Sequence, residues 1–182
     1  MPTIITHSFT GIASGFAVYN KSFPRGFWVL SVLCSVIPDA DVICFRLGIP
    51  YLHFFGHRGF FHSIFFACIL GSLTGIILMK TGKKEWKDGL FFAGYFSFIM
   101  TLHGILDAFT NGGMGIALLS PFILKRYFFP IRPVEVSPIS LRTFIYGRCF
   151  QIFQNEILWV WIPSLCISIT VRILLRKLLK RS

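Results

Sequence analysis

Apolar runs broken by short polar clusters account for most of the chain. The first, residues 4–20, is marginal in length for a membrane span and rich in small residues (Gly11, Ala13, Ser14, Gly15) that permit close helix packing. Lys21 and Arg25 follow it, with Pro24 placed to open the next helix. The second run, residues 26–37, has only 12 residues, roughly 18 Å of helix against a hydrocarbon core of roughly 30 Å. It either stops inside the membrane at Pro38 or continues through Pro38-Asp39-Ala40-Asp41 to about Leu47, and both routes leave Asp39 and Asp41 within the membrane zone. A third span, residues 59–79, is entered through His57-Arg58-Gly59-Phe60-Phe61-His62-Ser63. A fourth, about residues 89–109, contains His103 and Asp107, and Asn111-Gly112-Gly113-Met114-Gly115 breaks it. The apolar stretch 116–124 is interrupted by Pro121 and too short to span, which predicts a re-entrant or surface segment near 114–124. Residues 125–156 are mixed, and Pro130, Pro133 and Pro138 argue for an ordered cap over one membrane face in place of a long helix. A fifth span, residues 157–175, ends in a basic tail, residues 176–182. The pattern predicts an all-α, polytopic membrane helix bundle of about five spans, a single integral-membrane domain over residues 1–182 without internal repeats.

Composition agrees. The 182 residues are 54% hydrophobic and 14% charged, with 22 phenylalanines and a mean hydropathy of +0.71, whereas a soluble domain carries about 25% charged residues. A net charge of +11 would suggest nucleic acid in a soluble protein. No basic stripe interleaved with aromatics stands on a polar surface here, so nucleic acid is excluded as a partner and the charge is assigned to loops beside anionic lipid. The 80–88 loop carries four lysines against two acids. Taken with the basic tail as cytoplasmic, it gives an outside N-terminus and a cytoplasmic C-terminus. The N-terminus lacks the basic region of a signal peptide, so the first apolar stretch is expected to remain as a helix. The five cysteines form no CxxC pair and read as small core hydrophobes.

Depth brings the polar residues together. At about 1.5 Å per residue from each span's cytoplasmic end, His7 and Asp39 lie roughly 20 Å up, His103 roughly 23 Å, His62 roughly 26 Å and Asp107 roughly 28 Å. Four segments running alternately up and down thus place imidazoles and carboxylates in one layer, in the outer third of the bilayer. Ionisable groups there are costly, which makes them functional candidates.

Imidazoles and carboxylates are the ligands that divalent zinc, manganese or iron prefer. His103 and Asp107, four residues apart, share one helix face. Asp39 and Asp41 flank one residue after a proline, suiting a turn that presents both inward. His57 and His62 straddle the start of a helix, so that one can ligate while the other contacts substrate or metal-bound water. A cation would also offset the cost of burying the carboxylates. Arg58, with Arg126 and Arg132, could hold a phosphate by bidentate hydrogen bonds or simply reach the head groups. Glu156, at the start of the last span, fits either an interfacial charge or a partner of the site. An ion-conducting reading, a divalent-cation or proton transporter, uses the same His/Asp cluster but predicts polar residues continuing to the cytoplasmic face, where these helices offer few.

Several motifs, Thr6-His7-Ser8, Pro38-Asp39-Ala40-Asp41, His57-Arg58-Gly59-Phe60-Phe61-His62-Ser63, His103-Gly104-Ile105-Leu106-Asp107 and Arg126-Tyr127-Phe128-Phe129-Pro130 with Val136-Ser137-Pro138-Ile139, resemble the YdjM/YbcI-type family of bacterial inner-membrane proteins. The resemblance covers about residues 2–140, and Ile131 departs from the tryptophan usual there. That family is described as LexA-regulated, membrane-bound, metal-dependent hydrolases, with a more distant likeness to zinc-dependent phospholipase C enzymes. The resemblance implies an inner-membrane location, a divalent metal with zinc foremost, and a phosphoester in a membrane lipid or other amphiphilic substrate. It implies His7, Asp39, His62, His103 and Asp107 as the metal set. Asp41, His57 and Arg58 then stand as candidate catalytic groups, with His57 and Arg58 on the more exposed, substrate side.

Overall fold

The computed structural model describes residues 1–138 and 141–179. Ile139 of the last motif, and Lys180 and Arg181 of the basic tail, lie outside the described residues. Helix α1 covers Ile4–Val18 and starts at Thr3, whose hydroxyl accepts a hydrogen bond from the Thr6 amide. Helix α2 (Phe27–Val36) does continue past Pro38: it tightens into a 3-10 segment, Ile37–Val42, and ends in the short α3, Ile43–Arg46. A loop leads to a second 3-10 turn, Phe60–His62, after which Ser63 caps α4 (Ile64–Thr81) by accepting from the Phe66 amide. Helix α5 covers Trp86–Ala108. After the cap come α6 (Leu141–Tyr146), α7 (Cys149–Glu156), a π-turn (Ile157–Trp161) and α8 (Ile162–Leu179).

Among the described residues four helical stretches are long and apolar enough to cross a membrane: Phe27–Arg46, Ile64–Thr81, Trp86–Ala108 and Cys149–Leu178. Helix α1, with 15 residues, is shorter at roughly 22 Å. The last span therefore begins well before residue 157, and Glu156 lies inside a continuous helix instead of at its mouth. The spans carry exposed apolar side chains such as Val29, Ile69, Phe98 and Ile173, as helices bathed in lipid do. Cys34 and Cys44 are buried as expected, whereas Cys68 and Cys166 are exposed on the apolar surface.

Helices α4 and α5 form the tightest pair. A Cβ at Gly71 would lie 2.3 Å from the Ser97 amide nitrogen, and one at Gly75 would lie 2.3 Å from that of Ala93. Only glycine permits this approach, and the Gly-x-x-x-Gly spacing stacks both positions on one helix face. Toward the 80–88 loop the bundle is filled by Phe27, Leu78, Phe92, Phe96, Ile99 and Met100. Toward the other end the filling is polar.

The 116–124 stretch is irregular and braces the entrance to α4. The Ile64 amide donates to the Leu118 carbonyl, the Ala117 amide to that of Arg58, and Ile116 pairs with Tyr127 in both directions. Residues 125–138 run extended beside it, as the prolines require.

Candidate metal centre

Five side chains from four segments meet at the polar end: His7 of α1, Asp39 of the first 3-10 segment, His62 of the second, and His103 and Asp107 of α5. Their placement follows from local structure. The i, i+4 spacing on α5 puts His103 and Asp107 one above the other. The 3-10 winding after Pro38 turns both Asp39 and Asp41 into the protein, leaving Ala40 outward.

Asp39, His62, His103 and Asp107 each offer one atom, and all four atoms lie within 4.8 Å of one another. His103 Nε2 stands 3.2 Å from His62 Nε2 and 3.4 Å from Asp39 Oδ1. His62 Nε2 stands 3.5 Å from Asp39 Oδ1 and 3.4 Å from Asp107 Oδ2. His7 joins through the second carboxylate oxygens, its Nε2 being 3.4 Å from Asp107 Oδ1 and 3.9 Å from Asp39 Oδ2. Its ring stacks on His103 with centroids 3.8 Å apart.

The protons can be placed by chemistry. His103 Nδ1 lies 2.8 Å from the Ser35 carbonyl oxygen, which can only accept, so Nδ1 holds the proton and Nε2 presents a lone pair. His62 Nδ1 lies 3.1 Å from Asp41 Oδ2, without hydrogen-bond alignment, and its Nε2 faces the site. Two ring nitrogens and two carboxylates thus converge. Both oxygens of Asp39 and of Asp107 are buried and accept no aligned hydrogen bond among the described residues, and both His7 nitrogens are also unpaired. Unrelieved, such a set costs several kcal/mol per buried ion. A single cation would relieve it. Ligands around a tetrahedral ion with bonds of about 2.0–2.1 Å stand roughly 3.3–3.4 Å apart, close to the separations found here.

A second group, Asp41, His57 and His62, adjoins the first. His57 Nδ1 lies 2.6 Å from Asp41 Oδ1, and the Arg58 amide donates to Asp41 Oδ2 at 3.0 Å. The chain reaches this geometry through Arg58 itself, whose φ of 62° lies in the left-handed region that a non-glycine residue rarely occupies. Strain of this kind, on the order of 1–3 kcal/mol, persists only where neighbours fix it. Here the peptide is tied at both ends, by Asp41 and by the Ala117 amide.

The expectation that His57 and Arg58 stand on a more exposed side is overturned. They are 3% and 1% exposed. Nor does Arg58 reach head groups: its guanidinium donates to the Gly112 carbonyl and the Thr110 hydroxyl and sets Nε 3.2 Å from Asp107 Oδ2. Desolvation of so large a cation is matched by these partners. Arg126 is also engaged, donating to the carbonyls of His57 and Tyr51, and burial lowers its pKa from the usual value. Arg132 is exposed over the Phe128 ring.

Glu156 turns out to be fully buried beside the centre and not at an interface. It accepts from the Thr3 amide, the Thr3 hydroxyl and the Thr6 hydroxyl. Thr3, Thr6, Thr110 and the Ser35 carbonyl are the contributors that sequence reading missed. A lone acid beside an apolar run hinted at Glu156, but a backbone carbonyl leaves no trace in residue types.

The chain matches the model described as YdjM inner membrane protein over residues 1–179. It is 33% identical over 166 residues to inner membrane protein YbcI of Escherichia coli (strain K12), covering 91% of this chain and 94% of that protein. No solved structure matches.

Proposed function

The chain belongs to the YdjM family of inner membrane proteins, and we propose that it is a membrane-embedded, metal-dependent hydrolase acting on a lipid or other amphiphilic phosphoester. The observation behind this reading is the meeting of Asp39, His62, His103 and Asp107, with one ligand atom from each within 4.8 Å of the others and no aligned donor to either carboxylate. They would hold one divalent ion, zinc suiting the mixed nitrogen and oxygen set, with His7 beside them as a further ligand. When bound, such an ion lowers the pKa of a bound water towards neutrality.

The chain's own residues orient the set. Ser35 fixes the His103 ring, the His57–Asp41 pair fixes His62, and Arg58 holds Asp107 while balancing its charge. Asp41, His57 and Arg58 act in this reading as positioning residues. Asp39, with 6% of its side chain exposed against 0% for His7, His62, His103 and Asp107, marks the side from which water and a phosphoester would arrive. With the 80–88 loop and the C-terminal tail cytoplasmic, that side faces the outer leaflet. An ion pathway is less well supported, because Phe27, Phe92, Phe96 and Met100 fill the bundle below the layer.

Metal analysis of gently purified protein is the direct test. Stoichiometric zinc or another divalent metal is expected in the wild type and near-complete loss in His62→Ala and Asp107→Ala. Metal-free wild type, with both variants equally well folded, would sink the reading. Chelator-sensitive release of head groups from mixed phospholipids, set against cation flux in proteoliposomes, then separates hydrolase from transporter.

A further inference from the structure

Pro38, buried at the start of the first 3-10 segment, removes a backbone donor next to the metal centre. A 3-10 turn closes on the amide three residues ahead. The Ser35 carbonyl would thus be met by residue 38, where proline has no N–H. That carbonyl is used elsewhere: its oxygen lies 2.8 Å from His103 Nδ1. The Ser35 hydroxyl takes no part, because it donates to the Val32 carbonyl at 2.7 Å. Helix α1 presses on the same turn, and a Cβ at Gly11 would lie 2.7 Å from both Ser35 Oγ and the Ser31 carbonyl oxygen.

The His103 ring is therefore spanned by one short segment on either side of the proline. Its Nδ1 meets Ser35 before Pro38, and its Nε2 stands 3.4 Å from Asp39 Oδ1 after it. The tighter winding also sets Asp39 and Asp41 roughly 120° apart about the axis, against roughly 160° on an α-helix. An Nε2–H on His103 would point at His62 Nε2, 3.2 Å away, on the side a cation needs.

We propose that Pro38 is a positioning residue of the centre. By withholding an amide from the Ser35 carbonyl, it keeps that carbonyl for His103 Nδ1–H and fixes the tautomer whose Nε2 faces the other ligands. Outer partners of this kind set the orientation and proton position of a ligating histidine. The consequence for binding rests on the metal-centre reading, whereas the tautomer is a property of the metal-free chain.

The test is nitrogen NMR of the histidine-labelled full chain in detergent and chelator, with the His103 signals identified by their absence in His103→Gln. The wild type is expected to carry the His103 proton on Nδ1. Pro38→Ala supplies the missing amide and is expected to populate the Nε2–H form. It should also weaken zinc binding roughly 10- to 100-fold, read by competition with a chromogenic chelator. An ester analogue with lactic acid at residue 38 lacks both the ring and the amide hydrogen, and is expected to restore the wild-type tautomer and affinity. An Nε2–H on His103 in the wild type would overturn the proposal, whether or not Pro38→Ala folds. So would an unchanged tautomer in folded Pro38→Ala, or an ester analogue that behaves as Pro38→Ala does. A wild type that binds no zinc yet shows the tautomer change would refute the metal reading and leave the role of Pro38 standing.

Discussion

Two buried carboxylate sites meet at the start of α1, one through Thr3 and Thr6 and the other through His7, and they are opposites. Glu156, 0% exposed, has three donors aimed at it, from Thr3 and Thr6. Asp39 and Asp107, 8% and 0% exposed, have no aligned donor on any of their four oxygens. A membrane interior makes an unpaired carboxylate expensive. The chain answers that cost at Glu156 with aligned amide and hydroxyl donors, whereas at the aspartates it sets imidazole nitrogens and, beside Asp107 alone, the Arg58 Nε at 3.2 Å without hydrogen-bond alignment. Glu156 thus joins α7 to the start of α1, whereas the aspartates belong to a group that could hold a cation.

If that contrast is right, Glu156→Ala damages the fold and spares the centre. It orphans three buried donors at about 1–3 kcal/mol each, a total of several kcal/mol. The unfolding midpoint in detergent should fall steeply while the folded fraction keeps its metal. Metal loss at full stability would reverse the assignment.

Asp39→Asn probes the other member. Removing a ligand should weaken metal affinity by on the order of 100-fold or more, beyond the 10- to 100-fold typical of outer partners. In chelator, however, the sign should invert: replacing an unsatisfied buried anion with an amide relieves its desolvation cost, so the metal-free variant should melt higher than metal-free wild type. A lower melting point in chelator would mean that Asp39 is satisfied without an ion.

Asp41→Asn sits between the two cases, because Asp41 is partnered by His57 and by the Arg58 amide yet touches His62. It should weaken metal affinity roughly 10- to 100-fold with the ligand set intact, read by competition with a chromogenic chelator. An unchanged affinity would show that His62 needs no help in holding its orientation.

What the sequence disclosed follows the same division. The spans, the turn at Pro38 and the layer containing His7, Asp39, His62, His103 and Asp107 were legible because helix rise converts residue number into depth. The Gly71-x-x-x-Gly75 contact was not legible, because only the close approach of α5 gives that spacing meaning. Burial of Arg58 was not legible. It depends on Thr110 and on the Gly112 carbonyl in a loop more than fifty residues away, and on a left-handed backbone that nothing in Arg58 itself announces. Glu156 was ambiguous for a similar reason: its partners, Thr3 and Thr6, lie about 150 residues earlier, and threonine at a helix start reads first as a cap.

The smallest change tests whether the two carboxylate sites are independent. Trp161 Nε1 donates to the Thr6 hydroxyl at 2.7 Å, and that hydroxyl in turn donates to Glu156 at 2.6 Å. The indole also stacks on Phe9 with centroids 4.4 Å apart. Trp161→Phe keeps an aromatic ring against Phe9 and removes only the N–H donor, leaving Thr6 free to go on donating to Glu156. The expected loss is about 1 kcal/mol, one neutral hydrogen bond, seen as a small drop in unfolding midpoint with metal content unchanged. His7 follows Thr6 directly, so a shift of α1 large enough to matter at the centre would register as weaker metal binding. That result would mean the Glu156 network sets the position of His7, and that the satisfied and unsatisfied carboxylates form one unit.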